Sequence, residues 1–184
     1  NYIKRLPADT FRSQKRGGRG ITGMATKEED AVEDLFLTTT HHNIMFFTNR
    51  GRVYRLKGYE IPASGRTAKG VAIVNLLPLE ANENITAVIP LKEFASNRYL
   101  FMTTRKGIVK KTELMDYDTA RKGGLIAISL DDDDELIAVK RTNGEKNIII
   151  GTRGGMAITF AETDVRPMGR SAHGVKGISL NQGD

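Results

Sequence analysis

The sequence contains no cysteine, so a disulfide framework, a thiolate zinc site and a cysteine nucleophile are all excluded. That absence suits a cytoplasmic location. No apolar run approaches the roughly 18 residues needed to span a bilayer, which excludes a transmembrane helix. No stretch offers the apolar-plus-basic helical face of a membrane-surface segment, so no membrane partner is expected. No Walker A loop occurs, so the chain by itself is not expected to bind ATP. The N-terminal Asn1-Tyr2-Ile3-Lys4-Arg5 has no hydrophobic signal core and reads as the middle of a strand, as in a fragment cut from a longer chain. Helical signals are few, and only Thr26 to Phe36 could pass for a short helix.

What remains is an ordinary folded composition with a basic bias. The 184 residues include 28 Lys plus Arg against 22 Asp plus Glu, a formal charge of +6. The isoelectric point near 9.6 favours a polyanionic partner, and nucleic acid leads. Hydrophobic residues at 39% are enough for a substantial core in one domain, or two small ones, and argue against disorder.

The sequence repeats internally. Ile44 to Leu56, Tyr99 to Lys111 and Ile148 to Phe160 each read as a β-branched or aromatic run, a Thr-x-x-Gly turn and a second, alternating run. That is a hairpin signature, with Gly51, Gly107 and Gly155 supplying the positive φ of the turn. A second glycine follows each hairpin: Gly70, Gly124 and Gly174, at 19, 17 and 19 residues. Each opens another short strand. Gly20 lies 19 residues after Asn1, so Tyr2 to Leu6 is the second half of a hairpin whose first half is not in the sequence. From Gly20 to Gly70, Gly124 and Gly174 the period is 50, 54 and 50 residues. An all-strand period of that length belongs to propeller-like arrays of small antiparallel sheets. The expected repeats are 1–42, 43–97, 98–146 and 147–184, an incomplete ring.

Before Gly20 stands Gln14-Lys15-Arg16-Gly17-Gly18-Arg19-Gly20. This heptad resembles the box that marks the C-terminal DNA-wrapping domain of the bacterial DNA gyrase A subunit, part of a type IIA topoisomerase. Tyr2 to Leu6, Gly20 to Met24, Phe47 to Gly58 and Asp134 to Val139 resemble the same family, so the likeness covers essentially the whole chain. The resemblance implies a β-pinwheel, a propeller relative of four-stranded antiparallel blades that exchange a strand between neighbours. The family's ring has six blades, of which this chain would hold about half or slightly more. It implies sequence-independent binding and chiral wrapping of duplex DNA. The DNA segment is then presented for strand passage in ATP-dependent negative supercoiling. The implied partners are the N-terminal region of the gyrase A subunit, together with the gyrase B subunit, in an assembly holding two copies of each. The catalytic tyrosine, ATP and Mg2+ belong elsewhere in that assembly, and no cofactor is expected in this domain. The equivalent domain of the topoisomerase IV A subunit is the alternative within the class, although that relative lacks an intact box. A propeller scaffold for protein partners is the alternative outside it.

The residues fit the resemblance. Three cations within five residues, separated by glycines, give a loop whose backbone can approach a polyanion and whose N–H groups bind phosphate without reading bases. The same slot later holds Arg66 and Lys69, then Arg121 and Lys122, then Arg170 and Lys176. The hairpin turns add Arg50 and Arg52, Arg105 and Lys106, and Arg153. A ring repeating cations at one level presents a curved positive rim, suited to bending a stiff duplex. Arg50, Arg105 and Arg153 could equally hold turns or neighbouring blades together.

Other motifs carry less. Gly18 to Gly23 matches G-x-G-x-x-G but lies among strands, not in the βαβ unit a dinucleotide site needs. Asp131 to Glu135 lacks the spacing of a calcium loop and reads as a solvated turn. Glu28, Glu29, Asp30, Glu33 and Asp34 form a second acidic face that would repel DNA. His41, His42 and His173 suggest no zinc or catalytic role, and Tyr2, Tyr54, Tyr59, Tyr99 and Tyr117 are expected to pack in or beside strands.

Overall fold

The computed structural model describes residues 2–26, 30–119, 123–181 and 183–184. Twelve strands and five 3-10 turns account for its regular structure, and no α-helix occurs among the described residues. In chain order the strands are β1 (Tyr2–Ile3), β2 (Asn43–Thr48), β3 (Arg52–Lys57), β4 (Val71–Ala72), β5 (Ile85–Leu91) and β6 (Tyr99–Thr104). They continue with β7 (Ile108–Glu113), β8 (Leu125–Ile126), β9 (Leu136–Thr142), β10 (Asn147–Gly151), β11 (Ala157–Ala161) and β12 (Val175–Lys176).

The three sequence hairpins are β2–β3, β6–β7 and β10–β11, all antiparallel. In each, the turn glycine has a left-handed φ, +71° at Gly51, +81° at Gly107 and +84° at Gly155. Its N–H donates to the carbonyl of the preceding Thr48, Thr104 or Thr152. The same threonine's hydroxyl accepts the amide four residues on, at 3.2–3.3 Å. The threonine side chain therefore completes the turn, which is why Thr-x-x-Gly recurs.

Two sheets have four strands, in the order β5-β2-β3-β8 and β9-β6-β7-β12. The fourth strand of each comes from the next repeat: Leu125 pairs with Val53, and Val175 with Val109. At the N-terminal end β1 pairs with β4 in the same relation, Tyr2 opposite Ala72. Neighbouring sheets are thus stitched by an exchanged strand. Pro90 is accommodated because β5 is the outer strand of its sheet, where a missing N–H breaks no ladder.

Sheets buried on both faces read as continuous apolar runs. In β2, Met45 and Phe47 enter a core shared with Leu100, Met102, Leu136 and Val139 of the following sheet. Ile44 and Phe46 point the other way, onto Tyr54, Ile61, Ile73 and Leu77. Phe101 and Val109 continue the pattern toward the β10–β11 hairpin. Each four-stranded sheet is therefore a wall between two cores, as in a radial array of blades.

Two expectations need correction. Asp30 to Phe36 is irregular rather than helical, and Lys27 to Glu29 lie outside the described residues. Val32 at 56% and Leu35 at 87% are exposed, and without burial of its apolar positions so short a segment does not hold a helix. Among the tyrosines, Tyr54 and Tyr117 are buried, but Tyr2 and Tyr59 are more than half exposed. No helix among the described residues is long and apolar enough to cross a membrane.

Candidate nucleic-acid interface

The Gln14–Gly20 loop stands out from the body with every residue exposed. Its shape is set by its own atoms. The Gly18 amide donates to the Lys15 carbonyl at 3.0 Å, closing a turn. The Gly20 amide donates to Oε1 of Gln14 at 2.6 Å. Gly17 and Gly20 take φ of +79° and +65°, and a Cβ on Gly18 would lie 2.5 Å from Gln14 Oε1. The glutamine is therefore a clasp across the loop, and the glycines are demanded by the bend. Among the described residues no carboxylate pairs with Lys15, Arg16 or Arg19. Their charges face solvent.

The remaining cations divide into two groups. Arg50, Arg153 and Lys176 are exposed, with no carboxylate partner among the described residues. The others are engaged. Arg52 pairs with Glu80 at 2.6 Å and donates to the Gly123 carbonyl at 3.1 Å. Lys69 lies 3.3 Å from Asp30 and 3.9 Å from the centre of the Tyr2 ring. Arg105 pairs with Glu135 at 3.6 Å and donates to the Asp133 carbonyl at 2.8 Å. Lys106 pairs with Asp133, a contact that holds the lysine above its ordinary pKa and the aspartate below its own. Arg66 donates to the Thr22 carbonyl, and Arg170 to the Ile126 carbonyl at 2.7 Å. Arg121 and Lys122 lie outside the described residues.

Sequence reasoning missed the groups that hold the turns in place. Glu83 is buried and accepts the Thr48 hydroxyl at 2.7 Å, the Tyr54 hydroxyl at 3.1 Å and the Glu80 amide at 2.8 Å. Burial first, and the Glu83 charge next, push the Tyr54 phenol up to about 12. In the next repeat Asp134, also buried, accepts the amides of Lys106 and Glu135 at 3.0 and 2.8 Å. In the one after, Asp184 accepts the amides of Gly154 and Asn181. Hydrogen bonding to the Thr152 side chain, then to Asn181, holds the Asp184 carboxyl low. The signal was present as acids spaced by 51 and 50 residues at positions 83, 134 and 184. The Asp131 to Glu135 run is thus part of a turn clasp. Among the described residues no group of three or more candidate ligands could hold a metal ion.

A strand-exchanged array of antiparallel blades carrying a glycine-pinned cationic loop defines the class, a β-propeller relative of pinwheel type. Comparison with known proteins narrows it. The family model of the DNA gyrase C-terminal domain, a β-propeller, matches residues 1–39, 42–92, 98–143 and 146–184, and the chain belongs to that family. It is 61% identical over 178 residues to the DNA gyrase A subunit of Halalkalibacterium halodurans, covering 97% of this chain and 21% of that protein. Identity to the corresponding protein of Clostridium acetobutylicum is 60% over 176 residues, covering 96% of this chain and 21% of that protein. The chain therefore spans about a fifth of the length of these curated relatives. Among solved structures, the C-terminal domain of a DNA topoisomerase IV superposes with TM-score 0.79 at 34% identity, over 86% of this chain and 50% of that one. A DNA gyrase A C-terminal domain superposes with TM-score 0.68 at 26% identity, over 98% of this chain and 58% of that one.

Proposed function

We propose that this chain binds duplex DNA without reading its base sequence and wraps it in one sense, as the C-terminal part of a DNA gyrase A protein. The observation that carries the reading is the exposed, self-clasped Gln14–Gly20 loop with three cations that no carboxylate among the described residues neutralises. Phosphate contacts need such cations held on a short backbone that can approach closely, and no recognition helix is available for bases among the described residues. Arg50, Arg153 and Lys176 extend the same potential along the array. Wrapping presents a DNA segment to the strand-passage machinery in the N-terminal region of gyrase A, which works with gyrase B, ATP and Mg2+ in the bacterial cytoplasm. Of the five tyrosines here, Tyr54 and Tyr117 are buried, their hydroxyls bound to Glu83 and to the Ala127 carbonyl, and the catalytic tyrosine is assigned to that other region.

Binding to two short duplexes of unrelated sequence, titrated across a salt series, tests the binding half. Equal affinities that fall steeply with salt support it, whereas salt-insensitive binding or none would overturn it. The structural likeness to a topoisomerase IV C-terminal domain favours a second reading, in which DNA is bound but wrapped less completely. The intact heptad supports the gyrase reading.

A further inference from the structure

Two buried or half-buried lysines bridge their own repeat and the following one in the same way. Lys4 Nζ donates to the Gly23 carbonyl at 3.0 Å and the Arg66 carbonyl at 2.5 Å, partners 19 and 62 residues away. Lys110 Nζ, on a fully buried side chain, donates to the Ala127 carbonyl at 2.6 Å and to the Arg170 carbonyl, 17 and 60 residues away. Each arginine then reaches back. Arg66 donates to Thr22 and Arg170 to Ile126, both across 44 residues. Two copies of one lysine–arginine arrangement thus sit at two junctions.

In the repeat between them the sequence differs at both positions. Tyr54 stands three residues after Gly51, where Lys110 stands three after Gly107. Ala120 stands four residues before Gly124, where Arg66 and Arg170 stand four before Gly70 and Gly174. Lysine goes with arginine and tyrosine with alanine, and the Tyr54 ring packs so closely on Gly124 that a Cβ there would lie 2.6 Å from it. A surface cation would need no such partner. These cations are matched to carbonyls, and burial first, then Arg170, hold Lys110 down at about 8.

We propose that Lys4 with Arg66, and Lys110 with Arg170, are staples that fix one repeat against the next, and that Arg66 and Arg170 are withheld from phosphate. They are positioning residues: they set the arc on which the DNA lies. The DNA half of this role rests on the function proposed above. Arg66→Ala and Arg170→Ala in this chain test it, with Lys15→Ala/Arg19→Ala as the control that removes exposed cations.

The staple predicts an unchanged salt slope for either arginine variant, where each lost phosphate contact would lower it by about 0.9. It also predicts a smaller linking-number change per bound chain, and about tenfold faster amide exchange at Ala127 to Ser129 in Arg170→Ala. The double variant Lys110→Tyr/Arg170→Ala copies the residue types that the sequence has at positions 54 and 120 and should exchange more slowly than Arg170→Ala alone. A lowered slope with unchanged exchange would make the arginines DNA contacts and overturn the staple. So would a double variant that exchanges faster than Arg170→Ala. If the unsubstituted chain shows no DNA binding at all, the functional reading fails while the exchange data still decide the staple.

Discussion

Gly51 and Ile128 touch so closely that a Cβ on the glycine would sit 2.6 Å from the Ile128 carbonyl oxygen. The Gly51 carbonyl in turn accepts the amides of Ala127 and Ile128 at 2.8 and 3.2 Å. Gly107 has the same relation to Ile178, whose oxygen would lie 2.8 Å from its Cβ. The hairpin turn is therefore the seat of the incoming chain as well as a turn, and glycine serves both the positive φ and the close approach.

Gly51→Ala and Gly107→Ala should each cost more than Gly155→Ala in urea unfolding. Gly155 has a left-handed φ but open space around its Cβ, so alanine there costs about 1–2 kcal/mol from backbone strain alone. The other two add a backbone clash that only a shift of the exchanged strand relieves, for a total of about 3 kcal/mol or more. Equal losses at all three positions would show that the close approach does not matter.

Glu83→Ala should destabilise the chain by about 2–4 kcal/mol, since it leaves the Thr48 and Tyr54 hydroxyls and the Glu80 amide without their acceptor. Asp184→Ala should cost less, because its turn is exposed. The check is the unfolding midpoint at constant m-value. A loss of about 0.5 kcal/mol or less, as surface substitutions give, would contradict the buried clasp.

Lys110 gives stability a defined pH dependence. Its folded pKa, about 8, lies below the ordinary lysine value of 10.5, so between those values the unfolded chain binds more protons. Stability contributed by this group therefore rises with pH from about 8, by at most about 1.4 kcal/mol per unit. Tyr54 acts oppositely. Its pKa is raised from 10.0 to about 12, so above the lower value the folded chain holds the extra proton and stability falls. Chemical denaturation across mildly to strongly alkaline pH should show a rise that turns over near pH 10, where Tyr54 begins to oppose it, and Lys110→Met should lose the rise. A wild-type profile falling monotonically from about pH 8 would contradict the assignment.

Gln14→Ala removes the clasp on the Gly20 amide but no charge. DNA affinity should fall about fivefold, the worth of one hydrogen bond that orders the loop, while the salt slope stays as it was. A lowered slope would mean that the glutamine's role is not confined to shape.

The hairpins were legible in the sequence because their turns are local: Thr48 and Gly51, or Thr104 and Gly107, carry the whole geometry within four residues. The exchanged strands were not legible from residue pattern. Leu125 meets Val53 across 72 residues, and nothing in the two-residue strand Leu125–Ile126 names its partner. The basic loop was readable from its glycines, although the clasp by Gln14 was not. Arginine at a turn reads as a surface charge, and residue type does not tell whether a guanidinium meets phosphate or, as at Arg66 and Arg170, a carbonyl of the neighbouring repeat. The acids at 83, 134 and 184 carried a periodic signal that the glycines overshadowed.

The central claim is one-handed wrapping that depends on the exposed loop. Nicked circular DNA would be incubated with the chain, ligated, stripped of protein and scored for linking number, beside a Lys15→Ala/Arg16→Ala/Arg19→Ala variant. The account predicts a shift of constant sign that grows with bound protein and is lost in the variant. Ligated circles with the linking number of protein-free DNA, at protein concentrations where binding is complete, would contradict it.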